Sequence, residues 1–338
     1  MNAEDRSRDG PLGRPGVAAG PAVPPYLQAG QRRQFLAITV GAIAIFFGLR
    51  MLPTGTNLSH MDFRVDPKAG NVIEFCDPLN PQFIPVVAAR SPVTMSIATG
   101  EPATEGREVR AVVTLKTGSG KPVTPDDLLV THTRPLHLLI IDPSLSDYRH
   151  VHPEPTGRAG EWAFSFRPRS PGAYRVFADF TPAATGRGLY ASVDLKVEPA
   201  LVAALEPSLG PSSNVRGADE RQPYTVERDG IQFSLSAAQQ PVRAGQPIDL
   251  RFAMARPDGG AIPLEPVMGA FAHLVAFDEL RTGFAHLHPA ESVSKQPDAR
   301  NPSLNFKLTI PRAGRYVIWA QVNLAGVETF VPFELAVR

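Results

Sequence analysis

Residues 137–153 read HLLIIDPSLSDYRHVHP and residues 273–289 read HLVAFDELRTGFAHLHP, with six identities in seventeen positions and no gap. Self-similarity at this separation means that one unit has been laid down twice. The repetition continues on both sides. Downstream, Trp162-Ala163-Phe164-Ser165-Phe166 and a block from Pro171 through Tyr174 to Asp179 match Leu304-Asn305-Phe306-Lys307-Leu308 and a block from Ala313 through Tyr316 to Gln321. The copies close in Ser192–Val197 and Phe333–Val337, and Val93–Ile97 parallels Ile231–Leu235 upstream.

These segments are short, either alternating or wholly apolar, and separated by Pro, Gly, Asp and Ser; the chain carries 35 prolines. Such a pattern predicts β-strands joined by turns, and about seven strands in roughly 110 residues per copy is the size of an immunoglobulin-like sandwich. Gly-x-Tyr opening a late strand, at Tyr174 and Tyr316, is similar to the tyrosine corner of that fold, and a cupredoxin-like sandwich is the competing architecture. The fold class expected is therefore all-β, with two tandem sandwiches at 90–198 and 224–338. Residues 199–223, rich in Pro, Ser and Gly, read as a linker.

Six of the chain's eight histidines fall in the two hairpins, with the spacing H-x12-H-x-H-P kept in both. A four-residue loop at 143–146 places 142 opposite 147, hence 139 opposite 150 and 137 opposite 152. Side chains two apart on a strand share a face, so His137, His150 and His152 project together. With 279–282 as the second loop, 275 faces 286, 273 faces 288, and His273, His286 and His288 repeat the arrangement. Opposed Cβ atoms lie about 4.5–5.5 Å apart, near enough for imidazoles to converge on one ion. Three imidazoles suit copper, zinc or nickel rather than magnesium or calcium. On the second hairpin Phe271, Val275, Phe277 and Phe284 are expected on the histidine face, an apolar border that favours neutral imidazole. Protons then compete with the metal below about pH 6.5.

Five residues before each triad stands a further candidate ligand, His132 in the first copy and Met268 in the second; plain core packing is the simpler role for Met268. Asp142 and Asp278 face the opposite side and read as loop caps. Cys76, the single cysteine, excludes an intrachain disulfide framework and reads as a small buried hydrophobe or, if its segment folds back, a thiolate ligand. His60 reads as solvent-exposed.

Ahead of the repeats, residues 1–31 are rich in Gly, Pro, Ala and Arg and read as a disordered cytoplasmic tail. Arg32-Arg33 then precede an apolar run from Phe35 to Leu49, interrupted by Arg50 before Met51-Leu52-Pro53. Residues 32–53 are expected to be an uncleaved transmembrane signal-anchor, Arg50 snorkelling to the interface; a cleaved signal peptide is the alternative. Positive residues before the run orient the N-terminus inward, in a single-pass cell-membrane or inner-membrane arrangement with the sandwiches periplasmic or extracellular. Gln31-Arg32-Arg33-Gln34-Phe35-Leu36 also resembles the twin-arginine export signal, with an ordinary flanking arginine pair as the plainer reading. Residues 54–89 form a stalk able to dock on the first domain.

Leu136-His137-Leu138 with His150-Val151-His152-Pro153, and Leu264-Glu265-Pro266 through Gly269-Ala270 with His273 and His286-Leu287-His288-Pro289, carry a family resemblance. The chain resembles bacterial exported or membrane-anchored proteins with tandem Ig-like repeats and an H-x-H-P hairpin motif. That resemblance implies copper handling and no particular activity. The clustering of Cys, His and Met on one late loop that marks blue-copper electron carriers is missing from the sequence.

The function expected is metal binding outside the cytoplasm, in sequestration or delivery of copper or zinc, with membrane lipid, the ion and another periplasmic or membrane protein as partners. A tandem interaction or assembly module with structural histidines is the alternative. A zinc hydrolase with three histidines and an open fourth position is a third, but no G-x-S-x-G, phosphate loop or H-E-x-x-H motif accompanies it. Lys plus Arg is 34 against 33 Asp plus Glu, without long runs of either sign, so nucleic acid is not an expected partner.

Overall fold

The computed structural model describes residues 29–51, 58–63, 81–200 and 224–338; Cys76, the tail at 1–28 and the linker at 201–223 lie outside the described residues. Ala29–Met51 forms helix α1. Phe35, Leu36, Ile38, Val40, Ile43, Ile45, Phe46 and Phe47 are all exposed along it. No helix among the described residues is long and apolar enough to cross a membrane.

The rest is β-structure. The first copy comprises β1 (Val93–Thr99), β2 (Val109–Thr117), β3 (Leu128–Leu129), β4 (Leu136–Ile141), β5 (Tyr148–Val151), β6 (Glu154–Pro155), β7 (Glu161–Phe166), β8 (Gly172–Pro182) and β9 (Leu189–Val197). The second comprises β10 (Tyr224–Arg228), β11 (Ile231–Ala237), β12 (Pro247–Ala255), β13 (Leu264–Glu265), β14 (His273–Asp278), β15 (Phe284–Leu287), β16 (Ser303–Thr309), β17 (Gly314–Leu324) and β18 (Val327–Val337). In the first copy one sheet runs β1-β2-β7-β6; in the other β8 lies between β4 and β9, with β5 beyond β4 and β3 also on β8. The second copy pairs β10-β11-β12-β16 in one sheet, and β15-β14-β17-β18 with β13 on β17 in the other. Two tandem all-β sandwiches result, each with its own core.

Alternation explains the outer sheets. β2 buries every second residue, so Val109, Ala111, Val113 and Leu115 enter the core beside Trp162 while Arg110 and Lys116 face water. β12 does the same with Ile248, Leu250, Phe252 and Met254. The two Gly-x-Tyr tyrosines are anchored by different kinds of acceptor. Tyr316 Oη donates to the Arg312 carbonyl at 3.0 Å, and Tyr174 Oη donates to Asp147 Oδ2 at 2.8 Å.

The inner strands do not alternate. All six residues of β4 are buried, as are the first five of β14, because their second face meets the other sandwich. A separate apolar cluster joins Leu139, Ile141, Tyr148 and Phe177 of the first copy to Val275, Phe277, Phe284 and Trp319 of the second. Phe177 and Phe284 have ring centroids 5.3 Å apart, Tyr148 and Trp319 5.8 Å. These residues occupy matching positions in the repeat, so one surface patch contacts its own counterpart, as in a two-fold dimer. Polar contacts across the interface do not repeat the relation, since Val317 and Leu145 stand at the equivalents of Arg175 and Arg281: Arg175 donates to the Arg281 carbonyl at 3.0 Å, and Arg281 to the Ala173 carbonyl at 2.6 Å. Phe271, expected on this face, lies instead in the second sandwich's own core, because β14 begins only at His273 and the turn before it breaks the alternation.

The segment before β1 touches both copies. Leu58 and Phe63 enter the first core, and Lys121 pairs with Asp62 at 2.6 Å. Further on, Ile84 exchanges backbone hydrogen bonds with Phe284 at 2.8 and 3.1 Å, and Phe83 enters the second core. The stalk thus docks on the first domain at one place and on the second at another. Gly283 makes the latter contact possible, since a Cβ there would stand 1.8 Å from the Ile84 carbonyl oxygen. Gly283→Ala is expected to cost about 1–3 kcal/mol through overpacking, read as a lower denaturant midpoint; an unchanged midpoint would show that this strap adds nothing to stability.

Candidate metal centre

Both hairpins take the register that loop length dictates. Leu139 pairs with His150 and Val275 with His286. Asp142 closes the first loop by accepting from the Ser146 and Asp147 amides at 2.7 and 2.8 Å, and Asp278 closes the second by accepting from Thr282 and Gly283 at 2.7 and 3.1 Å. These aspartates cap loops, as expected. His137, His150 and His152 converge so that one ring nitrogen of each lies within 4.8 Å of the others, and His273, His286 and His288 do the same.

The partners of the opposite ring nitrogens fix the tautomers. His137 Nε2 lies 2.9 Å from the Thr131 carbonyl and His273 Nε2 3.0 Å from the Val267 carbonyl. A carbonyl can only accept, so both rings carry hydrogen on Nε2 and turn a lone pair on Nδ1 inward. His150 Nδ1 lies 2.8 Å from Gln321 Oε1, and the same amide donates from Nε2 to Glu328 at 2.8 Å, which settles its orientation. His286 Nδ1 lies 3.1 Å from Asp179 Oδ2. Both of these rings therefore carry hydrogen on Nδ1 and aim the lone pair of Nε2 into the cluster.

The result is a set of buried nitrogens with nothing to bond. His152 Nε2, His273 Nδ1, His286 Nε2 and His288 Nε2 have no hydrogen-bond partner, and His137 Nδ1 faces His150 Nε2 at 3.1 Å, lone pair to lone pair. Water cannot reach them, and an unsatisfied buried polar atom costs about 1–3 kcal/mol. Protonation is no remedy. Burial pushes His150 and His286 well below the ordinary histidine range, and the neighbouring imidazoles push them further. His152 falls to about 4 and His273 to about 3, again chiefly by burial. His137 and His288 move the same way for the same reason. Each triad could hold a metal ion. Two metal–nitrogen bonds of about 2.0–2.1 Å spanning 3.1 Å enclose an angle of about 98°, which four-coordinate geometry accommodates.

The sequence does not show that the triads adjoin. His150 and His286 occupy equivalent positions and their ring centroids are 5.3 Å apart across the interface. The outer partners are exchanged as well: His150 of the first domain leans on Gln321 of the second, and His286 of the second on Asp179 of the first. Asp179 and Gln321 pair with the first histidine of each triad on the neighbouring strand. A polar residue ending an otherwise apolar block, five after the corner tyrosine, was their only sequence signal.

The two remaining candidates sit on equivalent turns. Thr131–Arg134 and Val267–Ala270 are closed by hydrogen bonds of 3.0 and 3.1 Å, with positive φ at His132 and Thr133 in one and at Met268 and Gly269 in the other. Left-handed backbone suits Gly269 but strains the β-branched Thr133, and such strain gathers at functional sites. His132 crosses to the other domain and stacks on His288, ring centroids 3.8 Å apart. Met268 is half-buried on its turn, and His60 is exposed and apart from the cluster.

Fold and site together define the class: tandem β-sandwiches that pool the histidines of a duplicated hairpin at their interface. Within it, the chain belongs to the family described as Domain of unknown function (DUF8832), whose model matches twice, over residues 89–199 and 225–338. No curated protein matches the chain. Among solved structures it is similar to red sea bream transglutaminase, with 8% identity and a TM-score of 0.22 over 74% of this chain and 32% of that one. The chain spans about a third of that protein's length, and a likeness at this level carries no argument.

Proposed function

We propose that this protein is a membrane-anchored, extracytoplasmic metal-binding protein that sequesters or delivers copper, with zinc as the alternative ion. The observation that carries the reading is the facing of neutral, lone-pair nitrogens with no hydrogen-bond partner, one triad per domain. Imidazole sets suit copper and zinc, and hydrogen-bonded outer partners of the kind formed by Thr131, Val267, Gln321 and Asp179 orient ligating histidines and raise their basicity.

Three features support the anchor and location. α1 carries an uncharged, predominantly apolar run at Phe35–Leu49, about 22 Å of helix. Eight of its large apolar side chains between Phe35 and Phe47 are exposed, and Arg32 and Arg33 stand in its first turns. The Ig-like assignment rests on strand order. Sheets β1-β2-β7-β6 and β5-β4-β8-β9 correspond to A-B-E-D and C′-C-F-G of that sandwich.

Titration of the full-length protein in detergent with Cu(I), Cu(II) and Zn(II), read by calorimetry and by metal retained after desalting, tests the reading. Up to two ions per chain are expected for the physiological metal. Retention of none of the three would overturn it.

A further inference from the structure

The repeat is symmetric in its ligands and asymmetric in what holds them. His150 and His286 are equivalent, yet the acceptor behind the first is a neutral carboxamide and the acceptor behind the second is a carboxylate. Asp179 makes its one ion-pair contact among the described residues with His286, at 3.1 Å and with its side chain only 20% exposed, while its charge acts on His137 and His132 without direct contact. Gln321 is held by Glu328, which fixes its direction without adding charge on the imidazole itself. A second difference runs the same way. The turn that overlies the second triad supplies an imidazole, His132, stacked on His288, whereas the equivalent turn of the second domain carries Met268.

We propose that the two triads form one paired centre with unequal halves: His273, His286 and His288 hold a divalent ion tightly, and His137, His150 and His152 hold a second one weakly and release it first. This rests on the metal-binding reading above and adds the division of labour. A carboxylate behind a ligating imidazole increases the electron density on the metal-bound nitrogen and balances the ion's charge, while a carboxamide only orients the ring. Because each acceptor belongs to the other domain, both halves also require the two sandwiches to be docked. The weak half is the exchangeable position that delivery to another protein needs, and the tight half keeps the interface closed meanwhile.

Zinc competition against a chromophoric chelator, on the full-length protein in detergent, separates the steps. Two affinities are expected in the wild type. Asp179→Asn keeps the shape and removes the charge, and is expected to weaken the tighter step most, by about 10–100-fold, since the hydrogen bond it replaces is to His286. The double exchange Gln321→Glu with Glu328→Gln preserves that hydrogen bond with donor and acceptor exchanged, and is expected to strengthen only the weaker step by a comparable factor. Two equal affinities in the wild type, an unchanged tighter step in Asp179→Asn, or equal weakening of both steps would overturn the inequality while leaving metal binding intact. No zinc bound in the wild type would overturn the division of labour, and retention of no copper either would overturn the reading beneath it; should Asp179→Asn fail to fold, the double exchange decides alone.

Discussion

Replacing His150 and His152 together by alanine is expected to abolish one equivalent of bound metal, and replacing His286 and His288 to abolish the other. Structural zinc sites of four ligands are worth about 10–16 kcal/mol, or roughly 3 kcal/mol per ligand, so losing two imidazoles from one triad lowers affinity by about 10⁴-fold. The remaining His137 or His273 cannot hold an ion alone, because its Nδ1 would face only the space left by its neighbours. His60→Ala, outside the cluster and exposed, serves as the control and leaves stoichiometry unchanged. Equilibrium dialysis with metal analysis gives the count. Two equivalents retained at wild-type affinity after all four substitutions would leave the histidines a purely structural role and revive the interaction-module alternative.

Much of this centre was legible in the sequence because β-structure has a rigid grammar. A four-residue loop and a period of two place Leu139 against His150 and Val275 against His286. The aspartates at 142 and 278 follow from the same parity. What stayed hidden was contact between the domains, which depends on tertiary docking that no local period records. A clue was present: the run Leu136–Ile141 shows no polar alternation apart from His137, and a strand buried on both faces needs a second layer over it. One sandwich supplies only one such layer. The exchange of Asp179 and Gln321 follows from the docking and could not be read before it. Phe271 shows the opposite error, where extending a strand's parity past its first residue put a core phenylalanine on the wrong face.

In the metal-free protein, lowering the pH from 7 to 5 is expected to reduce stability by at least about 2 kcal/mol, and saturating metal at pH 7 to raise it by about 2.7 kcal/mol at a hundredfold excess over Kd. The sign follows from which state takes up the proton. His273 titrates near 6.5 when unfolded and at about 3 when folded, so between those values the unfolded chain is protonated and the folded one is not. Stability is therefore full above about pH 7 and falls as the pH drops through 6.5, and at pH 5 this residue alone accounts for about 2 kcal/mol. His150 and His286 add to it in the same direction, both held neutral by burial. Asp179 works the other way, since burial raises its carboxyl above the usual range and favours proton uptake by the folded state, so it offsets a part. Metal binding inherits the same depression: with His152 at about 4 and His273 at about 3, protons displace an ion from the folded centre well below the pH 6.5 expected for free imidazole. Thermal unfolding in chelator at pH 7 and pH 5 reads the effect directly, as a fall of roughly 4–8 °C for 2 kcal/mol in a unit of this size. A melting temperature that is level across that interval would mean that the folded and unfolded chains take up equal numbers of protons, so that these imidazoles titrate as free ones do and burial does not hold them neutral.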